Sequence, residues 1–178
     1  PPSLPLKISI QSVWPTYGIA FIAQDKGLFA KYGVQVTLMP VTGYVESLKP
    51  YREGKADATF MVFADAIMFE AEGVPSRAVY ATEYSDTGDM IVGQPTLNGL
   101  SDLKGKKVSF EGFNTFSHLL VQKLLEKAGV REGEFEGANL PFADVLANLE
   151  AGKIAAGHVV EPHISQALAK GYKALGKA

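Results

Sequence analysis

A chain of 178 residues can hold one large or two small domains. At 47% hydrophobic and 20% charged, with no low-complexity tract, it has the composition of a globular protein and not of a disordered one. The formal charge of −2 argues against nucleic acid, the lack of cysteine removes disulfides and thiolate chemistry, and no apolar run approaches the roughly 18–20 residues of a membrane span.

Taken in chain order, PPSLPLKISI carries no charged-apolar-small leader and reads as a mature or trimmed terminus. Residues 7–12 (KISIQS) read as a strand, VWPTYG breaks the pattern, and 19–29 read as an amphipathic helix that Gly33 is placed to end. Then come a strand at 34–41, a helix at 42–53, a strand at 58–63, a helix at 64–73 and a strand at 77–84. A turn-rich stretch follows, broken only by MIVG at 90–93. The second half offers a strand at 107–110, a helix at 115–128 stopped by Gly129, and a helix at 142–151 ending at Gly152. A strand at 157–160 and a short helix after Pro162 close the pattern. Alternating strands and helices point to a mainly parallel α/β architecture.

The two halves repeat one another. KISIQS matches KVSFEG, KYGV at 31–34 matches KAGV at 127–130, and REGKADA at 52–58 matches EAGKIAA at 150–156. The offset stays between about 96 and 100 residues. The chain therefore builds one lobe twice, with 1–92 as the N-terminal part of the first and 93–178 as the second.

In open α/β sheets a ligand sits beyond the carboxyl ends of the strands, against helix N-termini. That rule selects Trp14, Thr16 and Tyr17, then Thr42, Gly43 and Glu46, then Phe63, Tyr84 and Asp86 in the first lobe. In the second it selects Phe113, Asn114, Thr115 and Ser117, and Glu161 at the end of HVVEP. The set is aromatic and hydroxylic with essentially no Lys or Arg, which suits a small-molecule pocket between the lobes better than a catalytic centre. Ordinary structural roles compete: Trp14 beside Pro15 can anchor a loop, and Thr16, Thr115 and Ser117 are good helix caps. A carboxylate closing an apolar strand, as Glu161 does, must find a partner, water or a ligand.

Signals of catalysis are weak. His158 and His163 lack the spacing of a helical metal pair, no Gly-x-Ser-x-Gly elbow occurs, and neither phosphate-loop pattern is present. No metal and no cofactor are expected.

AQDKGLFAKYGVQVTLMPV, the TG loop with its helix and EGKADATF, LSDLKGKKVSFEG, and GKIAAGHVVEPH together resemble NMT1/THI5-like substrate-binding proteins from Lys7 to about Gly171. The resemblance implies two Rossmann-like lobes of a type II periplasmic binding protein with the cleft between them. It implies a hinged clamp, with MIVGQP at 90–95 as the first crossing, that delivers a small molecule to an ABC permease. A periplasmic or extracellular monomer, with or without a lipid anchor, is the corresponding expectation. Two departures stand out. Family members continue past the point where this sequence stops, as though the C-terminal third were lacking, and GKIAAGH has Ala156 where the family often has Asp-Ala.

The family includes sulfonate, taurine and nitrate receptors as well as binders and a synthase of thiamine-pyrimidine precursors. Glu46, Asp86 and Glu161 among aromatics favour an uncharged or cationic heteroaromatic, with a thiamine-precursor pyrimidine first and taurine, an alkanesulfonate or nitrate as the alternative. The synthases of the family use a first-lobe histidine, whereas His118, His158 and His163 all lie in the second half. A sensing domain of a signalling protein is the remaining alternative.

Overall fold

The computed structural model describes residues 5–12 and 14–178. Contacts group the chain into two compact units, Pro1–Glu83 and Tyr84–Ala178.

In the first unit, β1 (Pro5–Gln11) is the middle strand of a three-stranded parallel sheet, between β2 (Gln35–Val41) and the two-residue β3 (Ala58–Thr59). Its inward face carries Ile10, which packs with Tyr17 and Ala20 beneath Trp14, Phe21, Leu38 and Phe60. The helix expected over 19–29 is split into α1 (Gly18–Asp25) and α2 (Leu28–Lys31), because Gly27 turns left-handed at φ 63° between them. The helices α3 (Tyr44–Arg52) and α4 (Phe63–Ala71) follow their strands. The strand expected at 58–63 stops early: pairing ends at Thr59, and Phe63 already opens α4. The strand expected at 77–84 is absent. A strand requires a neighbour to accept its backbone hydrogen bonds, and Val79 and Tyr80 are 87% and 74% exposed.

The second unit has a five-stranded sheet ordered β6-β5-β7-β4-β8. Its strands are β4 (Asp89–Gly93), β5 (Lys107–Phe110), β6 (Glu136–Asn139), β7 (Ala156–Val160) and β8 (Lys173–Lys177). The helices are α5 (Phe116–Lys127), α6 (Phe142–Glu150) and α7 (His163–Ala169). β4 runs antiparallel to both β7 and β8, so this sheet is mixed where the sequence suggested a mainly parallel one. Those pairings also place MIVG within the second sheet, whereas the sequence grouped residues up to 92 with the first lobe. β6 (EGAN) and β8 (KALGK) lack the β-branched runs that announce a strand. The core lies around fully buried Phe110, Leu103, Val121 and Leu125 on one side and Val145, Leu149 and Ile164 on the other.

The internal repeat is visible in the hydrogen bonds. Spatial order β2-β1-β3 corresponds to β6-β5-β7. Ile8 and Ser9 pair with Ala58 and Thr59, as Val108 and Ser109 pair with Ala156 and Gly157. Asp57 N–H donates to Lys7 O at 2.8 Å, and Ala155 N–H donates to Lys107 O at 2.8 Å. α3 and α6 each span nine residues and end in the same Gly-Lys turn. The copies differ inside. Ser9 Oγ donates to Ser47 O, whereas a Cβ on Gly157 would lie 2.3 Å from Ser109 Oγ, so only glycine fits at 157.

Candidate functional site

The first unit gathers its aromatics at the carboxyl end of β1. A 3-10 turn over Pro15–Tyr17 follows that strand and opens with the proline locked in place. It buries Tyr17, whose ring lies 4.8 Å from Phe60 and 6.4 Å from Trp14. Trp14 Nε1–H donates to Glu83 Oε1, and Thr16 Oγ1–H donates to Glu83 Oε2. One carboxylate thus holds both polar groups beside the aromatic shelf. Burial, reinforced by the negative charges of Glu83 and Asp65, pushes the Tyr17 hydroxyl well above its ordinary pKa. Tyr17 therefore stays protonated at any physiological pH. Behind it, Tyr44 donates its hydroxyl proton to buried Asp65 and accepts Val62 N–H at 2.9 Å; burial and the Asp65 charge raise its pKa as well.

The other residues singled out in this unit behave differently. Thr42 is exposed, and its carbonyl accepts Gln11 Nε2–H at 3.4 Å. Gly43 precedes α3, and the exposed Glu46 carboxylate folds back over it, so a side chain at 43 would require Glu46 to swing aside. Glu46 itself is exposed and lies 3.6 Å from Lys49. Phe63 is 67% exposed at the start of α4. Tyr84, 92% exposed, and Asp86 fall in the second unit's opening segment.

The second unit's counterpart is the loop from β5 to α5. Phe113 meets Phe110 edge-on at 4.9 Å and keeps 56% of its surface exposed. Asn114 adopts φ 56°, a left-handed conformation that Asn tolerates better than most residues, and its N–H reaches His118 Nδ1 at 3.3 Å. Thr115 caps α5: its Oγ1 accepts His118 N–H and donates to the carbonyls of Glu111 and Gly112. Ser117 is no cap. It lies within α5, fully buried. Thr16, also read as a cap, instead serves Glu83. Glu161 finds its partner locally, accepting Ser165 N–H and Oγ–H at 3.2 and 3.0 Å at the start of α7.

Around Ser117 the structure assembles residues that sequence reasoning passed over. Ser117 Oγ lies 2.9 Å from Glu111 N–H and 2.7 Å from His158 Nδ1. His158 Nε2 lies 3.2 Å from Asp89 Oδ1, and Ser85 Oγ–H donates to Asp89 Oδ2 at 2.7 Å. Every donor finds an acceptor when Glu111 N–H donates to Ser117, Ser117 to His158 Nδ1, and His158 Nε2–H to Asp89. Phe116 and Phe142 present their rings edge-on to His158 at 5.7 and 5.1 Å. The order Ser–His–Asp is that of a hydrolase triad, but Ser117 and His158 are both fully buried, so no substrate carbonyl can reach the hydroxyl. The relay instead fixes the β5–α5 loop to the segment 85–89. Burial alone would raise the Asp89 carboxyl; the hydrogen bonds from His158 and Ser85, with the favourable electrostatics of the His158 ring, outweigh it and hold it below the usual carboxylate range. A histidine midway along the apolar run GHVV was the one available signal, since a polar ring in a buried strand must be bonded at both nitrogens.

The depressed Asp89 pKa gives stability a sign. The contribution is complete above the unfolded-state value of about 3.9 and is lost as pH falls through the lower folded value. Urea midpoints should therefore drop between pH 5 and pH 3, and Asp89→Asn should flatten that drop. An unchanged acid slope in the variant would remove Asp89 from the account.

The model of the NMT1/THI5-like family matches residues 14–173. The chain is 24% identical over 155 residues to a 4-amino-5-hydroxymethyl-2-methylpyrimidine phosphate synthase of Uromyces fabae, covering 82% of this chain and 45% of that one. The periplasmic aliphatic sulphonate binding protein SsuA of Escherichia coli superposes with a TM-score of 0.74 at 21% identity, covering 99% of this chain and 61% of that one. The periplasmic nitrate-binding protein NrtA of Synechocystis superposes with a TM-score of 0.75 at 16% identity, covering 97% and 51%. The chain thus spans about half to three-fifths of the length of these relatives. The fold is the α/β fold of type II periplasmic binding proteins, and the chain belongs to the NMT1/THI5-like family.

Proposed function

We propose that the chain is the ligand-capturing part of an extracytoplasmic solute-binding protein that serves an ABC permease, and that its ligand is a small amino-substituted heteroaromatic such as a thiamine-precursor pyrimidine. The observation that carries this reading is the Glu83 carboxylate held on Trp14 and Thr16 beside the Tyr17–Phe60 shelf. A pyrimidine stacks on the aromatic faces, and its exocyclic amino group donates to the carboxylate, a charge-assisted bond. No Lys or Arg occurs in the turn over 14–17, so a sulfonate or nitrate there would meet no basic side chain of the turn. The name of the fungal relative, a pyrimidine phosphate synthase, supports the pyrimidine class; those of the bacterial structures support binding without catalysis. The buried Ser117–His158–Asp89 relay fits a positioning role in that reading, holding the β5–α5 loop in place.

Isothermal titration with 4-amino-5-hydroxymethyl-2-methylpyrimidine, taurine and nitrate tests the class. Binding of the pyrimidine alone is the expected result, and Glu83→Gln should weaken it about ten-fold or more. Binding confined to taurine or nitrate would replace the pyrimidine reading with an anion receptor. Pyrimidine affinity unchanged in the variant would take Glu83 out of the site.

A further inference from the structure

The opposite end of the second unit's sheet holds a shallow cavity of about 530 Å³, wide open to solvent and of the volume of small-molecule sites. It opens where β5 and β7 begin, away from the loops that follow those strands. Lys106, Lys107 and Lys153 line it with Gln94, Thr96 and Tyr172. Leu149 and Ile154 lie beneath it, almost wholly buried, and Gln94 Nε2–H is fixed on Leu149 O at 2.6 Å. Lys107 is matched by Glu136 at 2.6 Å, and the lining carboxylate of Glu150 is taken by Lys170. Among the described residues, Lys106 and Lys153 have no carboxylate within ion-pair distance.

The internal repeat provides a second, independent argument. Lys153 corresponds to Lys55, whose Nζ lies 2.6 Å from Glu53 in the first unit. The counterpart of Glu53 is Ala151. Asp57, which accepts Lys7 N–H at 2.8 Å, corresponds to Ala155, and the equivalence is fixed by the matching bonds from Asp57 and Ala155 to Lys7 and Lys107. The second copy therefore keeps the Gly-Lys turn and its lysine, Lys153, but has Ala151 in place of the acid that pairs with Lys55, and it adds Lys106 where the first copy has Leu6. One lysine without its acid and one added beside it leave a site that attracts negative charge.

We infer that this cavity is a binding site for a small organic anion, a phosphate monoester or carboxylate whose charged group meets Lys106 and Lys153 and whose body lies against Tyr172. The inference is independent of the ligand proposed for the first unit. Titrating the 15N-labelled chain with phenyl phosphate, and separately with benzoate, tests it. Saturable shifts of the Gly152, Lys153, Ile154 and Tyr172 amides are expected with at least one of the two, and saturation by phenyl phosphate alone identifies the phosphate class. Ala151→Glu restores the first copy's acid at an exposed position and should weaken binding about ten-fold, as should Lys153→Gln. No saturable shift at these amides with either probe would overturn the inference. So would wild-type affinity in Ala151→Glu at an unaltered urea midpoint.

Discussion

Replacing His158 by Ala is expected to destabilise the second unit by about 3–5 kcal/mol. The ring is fully buried and bonded at both nitrogens, to Ser117 and to Asp89. Its removal leaves a buried hydroxyl and a largely buried carboxylate without their shared partner, and a void between Phe116 and Phe142. Gln at 158 can reach only one of the two groups and should recover part of the loss. Urea unfolding measures both variants. A loss below about 1 kcal/mol for His158→Ala would mean that the relay contributes nothing, contrary to the bookkeeping for buried polar pairs.

Phe110→Ala should cost a similar amount, about 3–5 kcal/mol, for a different reason. Phe110 is fully buried at the end of β5 and supports the loop that follows it: Phe113 meets its edge at 4.9 Å and His118 stacks on it at 4.3 Å. Its ring also closes over Gly137, where a Cβ would lie 2.9 Å away, so strand β6 depends on it too. Truncation removes core area and also the floor beneath Phe113 and Asn114. Phe110→Leu, which keeps much of the volume, should cost less than half as much. Equal losses for Ala and Leu would show that ring stacking outweighs volume at this position.

Much of this architecture could be read from the sequence, because each lobe repeats the same strand–helix punctuation. Gly33, Gly129 and Gly152 end their helices in left-handed conformations at φ 72°, 82° and 64°, where their sequence positions suggested. The equivalence of KISIQS with KVSFEG reappears as matched pairings, Ile8 with Ala58 and Val108 with Ala156. What escaped was non-local. β6 and β8 carry little β propensity and exist because neighbouring strands offer them partners, and β4 runs antiparallel for the same reason. The strand expected over 77–84 shows the converse: suitable residues without a partner make no strand.

The site divides along the same line. Strand-end position led to Trp14, Thr16 and Tyr17, which the structure brings together, and to Thr115, which caps α5. The groups that hold them were out of reach of local pattern. Glu83 is separated from Trp14 by 69 residues, and Asp89 from His158 by 69 as well. No periodicity reports a partner at that distance. Phe63, Tyr84 and Asp86 share the strand-end logic, yet all three project from the surface.

The sequence contains a single tryptophan, Trp14, whose indole N–H rests on the carboxylate proposed to meet the ligand. Its fluorescence therefore reports on that site alone. Titration with 4-amino-5-hydroxymethyl-2-methylpyrimidine should produce a saturable change in Trp14 emission that Glu83→Gln shifts to about ten-fold higher concentration. Calorimetric binding of the pyrimidine with Trp14 emission unaltered, or no binding at all, would contradict a ligand site built on Trp14 and Glu83.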